Sequence, residues 1–413
     1  MIKRDFYLNK LIARENNGMI KVITGIRRCG KSYLLDPIFK GYLIDKGIKY
    51  DHIIKIELDR QENVKFHHDP NSFNEYLNSK IIDENMHYFL LDEIQLVDGF
   101  EFVLNGLLYK GNVDVYVTGS NSKFLSSDII TEFRGRGDQI HVFPLSFKEF
   151  FESSKTDKYD AWNEYSRFGG MPSIAAVDDE NIKSKYLKDL FEYTYFKDII
   201  DRNKVSRVDV LDTLVNILAS SIGSLTNPQK IYDTFKSNGE KELSLNTINS
   251  YIKYLEDSFL INKSMRYDVK GRKYISTPYK IYFADVGLRN ARLNFRQNEE
   301  THIMENIVYN ELLMRGYDVD VGLVELRDKN KRIHTEVDFV CNRGYQRYYI
   351  QSAFSLETSE KMQQEVRPFK NIDDSFKKIV VVKDYIRMWK TEDGVAIVSV
   401  FDFLLDSSLL EKC

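Results

Sequence analysis

Along the first 150 residues, short apolar runs alternate with stretches of helical period. Met19 to Thr24 is apolar except for Lys21 and the closing Thr24 and reads as a buried strand, and Ser32 to Leu43 reads as the helix leaving it. Ile53 to Leu58, Tyr88 to Leu91, Val113 to Thr118 and Gln139 to Phe143 are further strands, with helices expected over 72–82 and 102–109. Alternating strands and helices predict an α/β domain with a mostly parallel sheet covered on both faces. Ligands of such sheets sit at the carboxyl ends of the strands. From about Phe150 to Arg202 the pattern turns helical and aromatic, with Tyr159, Trp162, Tyr165, Phe168, Phe191, Tyr193, Tyr195 and Phe196 at core-like spacing.

Further along, Asn227-Pro228 opens a short helix running to Phe235. Leu245 to Glu256 is a second helix, with Ser244 as its N-cap and Ile248, Ile252, Leu255 and Phe259 as its buried stripe. Met265–Val269 and Lys280–Phe283 read as a hairpin tipped by Lys270-Gly271-Arg272-Lys273. Two helices followed by a hairpin predict a winged helix. Its second helix would present Asn246, Asn249, Ser250 and Lys253 to a DNA groove. Arg266, Lys270, Arg272 and Lys273 would meet phosphates. At about -0.9 per phosphate, four such cations imply a salt slope near about -4. Winged helices also dock proteins, and this face is only mildly basic, so duplex DNA and a protein partner both remain open.

The strongest chemical signal is Gly25-Ile26-Arg27-Arg28-Cys29-Gly30-Lys31-Ser32, which matches the phosphate loop G-x-x-x-x-G-K-[ST] at every position. Glycines let backbone N–H groups turn inward around a polyphosphate, and Lys31 reaches the β- and γ-phosphates. Ser32 is placed to hold Mg²⁺, and Tyr33, next on the departing helix, is taken with Gly25–Ser32 as nucleotide-binding. A second motif ends the strand Tyr88–Leu91: Asp92 would hold Mg²⁺ through water, and Glu93 would orient and deprotonate the attacking water. Thr118-Gly119-Ser120-Asn121 ends another strand, and there Asn121, with Ser120 second, is suited to the γ-phosphate or the water. Arg134 and Arg136, set beside glycines, are candidates for stabilising phosphoryl charge in the same chain or a neighbouring one.

These motifs, with Phe143-Pro144-Leu145-Ser146-Phe147 and Arg167-Phe168-Gly169-Gly170-Met171-Pro172, resemble a prokaryotic group of AAA+-type ATPases. In that group the ATPase module precedes a C-terminal domain of unknown function. Met171 stands where the group commonly has an aromatic. The resemblance covers nearly the whole chain. It implies a P-loop fold, ATP as ligand, and a helical lid formed by the aromatic segment; it supplies no settled substrate.

The C-terminal stretch resembles the restriction-endonuclease-like fold. Thr301 to Arg315 reads as an amphipathic helix burying Ile303, Ile307, Leu312 and Leu313, and Lys361 to Phe369 as another helix. Thr335–Val340, Tyr348–Ala353 and Lys378–Val382 read as strands. An active domain of that type needs an acid on each of two strands and a lysine two residues after the second. Asp338 fits the first acid and Glu305 a helical addition, but Gln351 and Ala353 stand where the second acid and the lysine belong. A neutral amide is a poor Mg²⁺ ligand, so a degenerate domain is expected. Glu336 and Asp338 share a strand face and read as a solvated acidic edge, with a weak metal site as the alternative.

The organisation expected is therefore a P-loop domain over 1–150, a lid over 151–205, a winged helix over 206–290 and a nuclease-like domain over 291–413. With 413 residues and a net charge of -3, the composition is that of a multidomain globular chain with no global basic bias. Cys29, Cys341 and Cys413 are scattered, which argues against a disulfide framework and for a reducing, cytoplasmic setting. No long apolar run or signal pattern suggests a membrane. The adjacent pair His67-His68 reads as exposed loop rather than metal site. The function expected is a Mg²⁺-dependent ATPase whose nucleotide state moves the winged-helix and nuclease-like modules on DNA or a protein. The alternatives are a DNA-binding regulator using ATP as a switch and an ATP-gated nuclease. Oligomerisation is open.

Overall fold

The computed structural model describes residues 2–119, 133, 135–240, 242–297, 299–328, 331–384 and 386–413, with backbone alone at 326–328 and 331–332. The chain forms two compact units, Met1–Pro144 with Asp257–Phe259, and Leu145–Glu256 with Leu260–Cys413.

The first unit opens with helix α1 (Asp5–Ile12) and strand β1 (Ile20–Thr24). Helical segments Lys31–Tyr33, Leu34–Phe39 and Lys40–Asp45 follow, together α2, which bends where Asp36 leaves helical geometry ahead of Pro37. Next come β2 (Ile53–Glu57), α3 (Pro70–Ser79), β3 (His87–Asp92), α4 (Phe100–Leu108), β4 (Val113–Thr118) and β5 (Gly137–His141). The five strands are all parallel, in the order β2-β3-β4-β1-β5. In a parallel sheet every strand ends at the same edge. Thr24, Glu57, Asp92, Thr118 and His141 therefore lie along one rim. Phe73 and Leu77 of α3, and Phe100, Val103, Leu104 and Leu107 of α4, pack one face against Val22, Ile56, Phe89, Leu91 and Val117. Lys21 breaks the apolar run of β1 yet is fully buried; its ammonium meets Asp114, which also accepts from the Tyr116 hydroxyl at 2.9 Å. A buried cation tolerates such a position only when paired in this way.

The second unit begins with helices α5 (Phe147–Ser153), α6 (Lys158–Phe168), α7 (Glu180–Leu190), α8 (Lys197–Asn203) and α9 (Val208–Ser220). Ser146 and Glu149 form a capping box on α5. The aromatics of this stretch divide: Trp162, Phe168, Phe191, Tyr195 and Phe196 are buried, whereas Tyr159 and Tyr193 are exposed. Then follow β6 (Leu225–Thr226), α10 (Pro228–Ser237), α11 (Leu245–Asp257), β7 (Ile261–Asp268) and β8 (Lys273–Phe283). The Ser244 hydroxyl accepts the Thr247 N–H at 3.1 Å, as the capping pattern predicts. Ile248, Ile252 and Leu255 are buried, and Asn246, Asn249 and Lys253 are exposed.

The remaining elements are α12 (Val286–Arg292), α13 (Glu300–Met314), β9 (Asp318–Asp328), β10 (Lys331–Arg343) and β11 (Gln346–Ala353). They are followed by α14 (Ser359–Val366), β12 (Lys377–Val382), β13 (Trp389–Lys390), β14 (Ala396–Ser399), α15 (Val400–Leu405) and α16 (Leu409–Lys412). Among the described residues one mixed sheet runs β13-β14-β12-β11-β10-β9-β7-β8-β6. The β7–β8 hairpin joins it because β7 pairs in parallel with β9, Arg266 opposite Val321 and Tyr267 opposite Gly322. A cut near residue 290 would thus sever a continuous sheet. The elements expected as separate winged-helix and nuclease-like domains share one body.

Two expectations for this half are corrected. Helix α13 is not amphipathic: Glu305, Asn306 and Glu311 are buried along with Ile303, Ile307 and Leu312, while Leu313 is only half-buried. The polar residues are tolerated inside because each has a partner, as where Asn306 bonds the Phe283 N–H at 2.9 Å and carbonyl at 2.8 Å. Glu336 and Asp338 are not a solvated edge either, since Asp338 is 8% exposed and both bind the buried Lys280.

The segment Phe168-Gly169-Gly170 interlocks with α12. The buried Asp285 caps α12 through the Leu288 N–H at 3.0 Å and accepts the Gly170 N–H at 2.7 Å. Burial still pushes its carboxyl up to about 6. A Cβ on Gly287 would stand 1.8 Å from the Phe168 carbonyl oxygen, which only backbone movement relieves. Gly287→Ala should therefore lower the stability of this unit by about 3 kcal/mol in urea unfolding. Gly41→Ala, where a Cβ meets nothing within 4 Å, should leave the chain near wild type.

Candidate functional site

The loop between β1 and α2 is held open by its glycines. Gly25 has φ 141° and Gly30 φ 101°, conformations that side chains rarely adopt. A Cβ on Gly25 would also fall 2.2 Å from the Val142 carbonyl oxygen, so the loop lies directly against the chain leaving β5. Cys29 is buried beneath the loop and its Sγ donates to that same carbonyl at 3.3 Å. Ile26 is buried, Arg27 half-buried, and Arg28 and Tyr33 exposed. The Lys31 ammonium is buried and folds back on the loop, donating to the Gly25 carbonyl at 3.0 Å and the Ile26 carbonyl at 3.1 Å. Ser32 is exposed at the start of α2.

Strand β3 brings the acids to this rim. Asp92 is buried and accepts a hydrogen bond from Thr118. Burial pushes its carboxyl above the ordinary range; the Thr118 and Ser32 hydroxyls oppose the shift, and the negative charges of Glu93 and Asp59 add to it. Glu93 adopts φ 55°, an uncommon left-handed conformation for a side-chain-bearing residue. This turns the chain out of the sheet immediately after Asp92.

Thr118 is the residue that sequence reasoning passed over. Its hydroxyl donates to Asp92 Oδ1 and accepts the Glu93 N–H at 2.9 Å, tying both acids to the end of β4. The motif reading had favoured its neighbours Ser120 and Asn121, and both lie outside the described residues. A polar residue ending the strand beside β3 was the available signal. Arg4 had no signal at all: its guanidinium is buried and donates to the Cys29 carbonyl at 3.3 Å and the Phe143 carbonyl at 2.7 Å. His141 ends β5, with Nδ1 3.2 Å from the Thr24 hydroxyl. Burial, helped by the Lys31 and Lys10 charges, pushes it down to about 4, so it is neutral at physiological pH.

The expected arginine stands elsewhere. The Arg136 carbonyl accepts the Ile20 N–H at 2.8 Å, which puts it where β1 begins, at the opposite rim from the phosphate loop. The length of β1, at roughly 3.3 Å per residue, separates the two. Its guanidinium instead lies 4.7 Å from the Tyr109 ring centroid. Arg136 therefore does not reach the loop of its own chain. Arg134 lies outside the described residues.

The donor set fits Mg·ATP: a loop whose glycines take conformations rare for other residues, a lysine resting on carbonyls, and an exposed serine beside a buried acid. A histidine cluster also escaped the sequence reading. The ring nitrogens of His52 and His87 and the Asp83 carboxylate lie within 4.8 Å of one another. His87 is committed to backbone, with Nε2 accepting the Ile82 N–H at 3.2 Å and Nδ1 2.7 Å from the Asn85 carbonyl. His67 and His68, by contrast, engage the Leu58 carbonyl and Asp98 separately, as the loop reading implies.

Family models match an AAA domain over residues 17–151, a domain of unknown function (DUF8612) over 159–299 and another (DUF4143) over 300–403. An uncharacterized protein of Haemophilus influenzae is 34% identical over 411 residues, covering 98% of this chain and 99% of that one. This chain belongs to the same family, an AAA-type P-loop ATPase domain followed by DUF4143. An uncharacterized protein of Methanocaldococcus jannaschii is 32% identical over 403 residues, covering 93% of this chain and 86% of the relative. Among solved structures, AMPPCP-bound DnaA from Aquifex aeolicus aligns at 16% identity with a TM-score of 0.28, over 62% of this chain and 89% of that one. A similarity that weak decides nothing about this chain. No described helix of the AAA-family chain is long and apolar enough to cross a membrane.

The bridging hydroxyl gives a direct check. Thr118→Val should lower steady-state ATP turnover by about 10- to 100-fold. Calorimetric affinity for ATP should change by less than about threefold, because the loop and Lys31 are untouched.

Proposed function

We propose that this protein binds Mg·ATP at the β1–α2 loop and hydrolyses it, coupling nucleotide state to a partner-binding second unit. The observation that carries the reading is the meeting of Lys31, Ser32, Asp92, Glu93 and Thr118 on one sheet rim. Backbone N–H groups of Gly25–Ser32 would hold the phosphates, and Lys31 would exchange its loop carbonyls for phosphate oxygens. Ser32 and Asp92 would hold the Mg²⁺ ion, which when bound neutralises charge on the phosphates. Glu93 would accept the proton of the attacking water, oriented through its N–H link to Thr118. Arg136, set apart from this loop, would act only from a neighbouring chain.

The finer reading of the second unit is ours as well. Residues 151–205 would serve as a helical lid and 206–290 as a winged helix, with a degenerate restriction-endonuclease-like portion over 291–413. Exposed Asn246, Asn249 and Lys253 on α11 and exposed Lys270, Arg272 and Lys273 at the β7–β8 tip favour duplex DNA as the partner. They equally support the second reading, a DNA-binding regulator in which ATP is a switch and turnover is negligible. Gln351 and Ala353, in place of an acid and a lysine, weigh against a nuclease.

Lys31→Ala should weaken ATP binding by at least about 100-fold in calorimetry, while Glu93→Gln should still bind yet turn over at least about 100-fold more slowly. Unchanged affinity in the first variant would remove the site assignment. Turnover of wild type measured with and without duplex DNA should separate the two readings. Stimulation selects an ATPase acting on DNA, and salt-dependent binding without turnover selects the switch.

A further inference from the structure

The polar heart of the second unit belongs to no part of the ATPase reading. Lys280 projects from β8 into a pocket formed by α13 and β10. Its side chain is 4% exposed, and its ammonium lies 2.9 Å from Glu305 Oε1, 2.8 Å from Glu336 Oε1 and 3.0 Å from Asp338 Oδ1. An ammonium carries three N–H bonds, and here each meets a carboxylate. None is left to contact a substrate phosphate. The surrounding groups complete the shell. Glu305 accepts the Tyr282 hydroxyl at 2.6 Å, and Asp338 Oδ2 accepts the Ser352 N–H at 3.0 Å. The buried Ser352 Oγ has no hydrogen-bond partner among the described residues, leaving one oxygen unused beside Asp338.

Two buried carboxylates, Glu305 and Asp338, with the half-buried Glu336 beside them, repel one another and require a compensating cation. Hard oxygen donors converging from a helix and a strand are the set that Mg²⁺ or Mn²⁺ takes, at about 2.1 Å rather than ammonium distances. We propose that the Lys280 ammonium is a tethered counter-cation standing where a divalent metal ion would otherwise bind among Glu305, Glu336 and Asp338. The cluster is thereby closed to metal, and removing the lysine charge opens it as a divalent-cation site. The charge balance agrees. Burial pushes the Asp338 carboxyl up with Glu305 adding to it, and Lys280 pulls the other way. Burial likewise opposes ionisation of Glu305, but Lys280, His302 and Tyr282 hold it below its ordinary range. The position lost at Ala353 is not refilled in a catalytic sense, because this lysine is saturated by acids. The proposal stands whether or not the protein hydrolyses ATP.

The test uses the full chain without nucleotide, titrated with Mn²⁺ and followed by electron paramagnetic resonance of the free ion. Wild type should bind no Mn²⁺ tighter than about 1 mM. Lys280→Met should bind one ion per chain at least about tenfold more tightly than that, and Lys280→Met with Asp338→Asn should lose it. Lys280→Arg, which keeps the charge, should behave as wild type. If Lys280→Met is unstable, Mn²⁺ should raise its melting temperature, and should not do so with Asp338→Asn added. Asp338-dependent Mn²⁺ binding by wild type would overturn the proposal. So would a Lys280→Met chain that neither binds nor is stabilised by Mn²⁺, or Mg²⁺-dependent plasmid nicking by wild type that Asp338→Asn removes.

Discussion

The close approach of Gly25 to the Val142 carbonyl is the constraint on which the nucleotide site depends. With φ at 141° and no room for a Cβ, the chain leaving β1 must turn beside the end of β5. That turn sets Lys31 at the head of α2. The parallel register does the rest, because strands running the same way deliver Asp92 and Thr118 to the rim where Gly25 begins. Arg4 and Cys29 fasten the underside of the loop to the segment after β5. A local backbone requirement and a sheet-wide rule thus converge on one place.

The second unit is organised by buried polar groups. Asp285 holds the Gly169-Gly170 turn against α12, Asn306 spans both backbone groups of Phe283, and Lys280 balances three acids. Each is costly to bury and is retained with its partners present. These contacts also explain why the hairpin and the C-terminal strands form one sheet. Lys280 belongs to the hairpin and its acids to α13 and β10, so separating them would strand charge in a low-dielectric interior.

Much of the first unit was legible in order. Apolar runs located β1 to β5 within a residue or two, and the glycine-lysine-serine loop and the Asp92-Glu93 step marked the site by spacing alone. Thr118, Arg4 and His141 were harder to read, because each acts through a neighbour supplied by a distant part of the chain. For Arg136, spacing left open whether it serves its own chain or a neighbouring one, because which rim it occupies follows from the direction in which β5 starts. In the second unit, α13 carried the period of a surface helix although its polar residues face inward to buried partners.

The sequence by itself determined the strands of the first unit, its parallel α/β class and the identity of the phosphate loop. These rest on periodicity and on short motifs whose backbone demands are local. Only the tertiary structure decided which polar residues are paired, which rim each reaches, and that Lys280 is the cation for Glu305, Glu336 and Asp338. Electrostatic partnership depends on distances across the fold, and separations of 25 and 58 residues carry no local pattern from which it could be read.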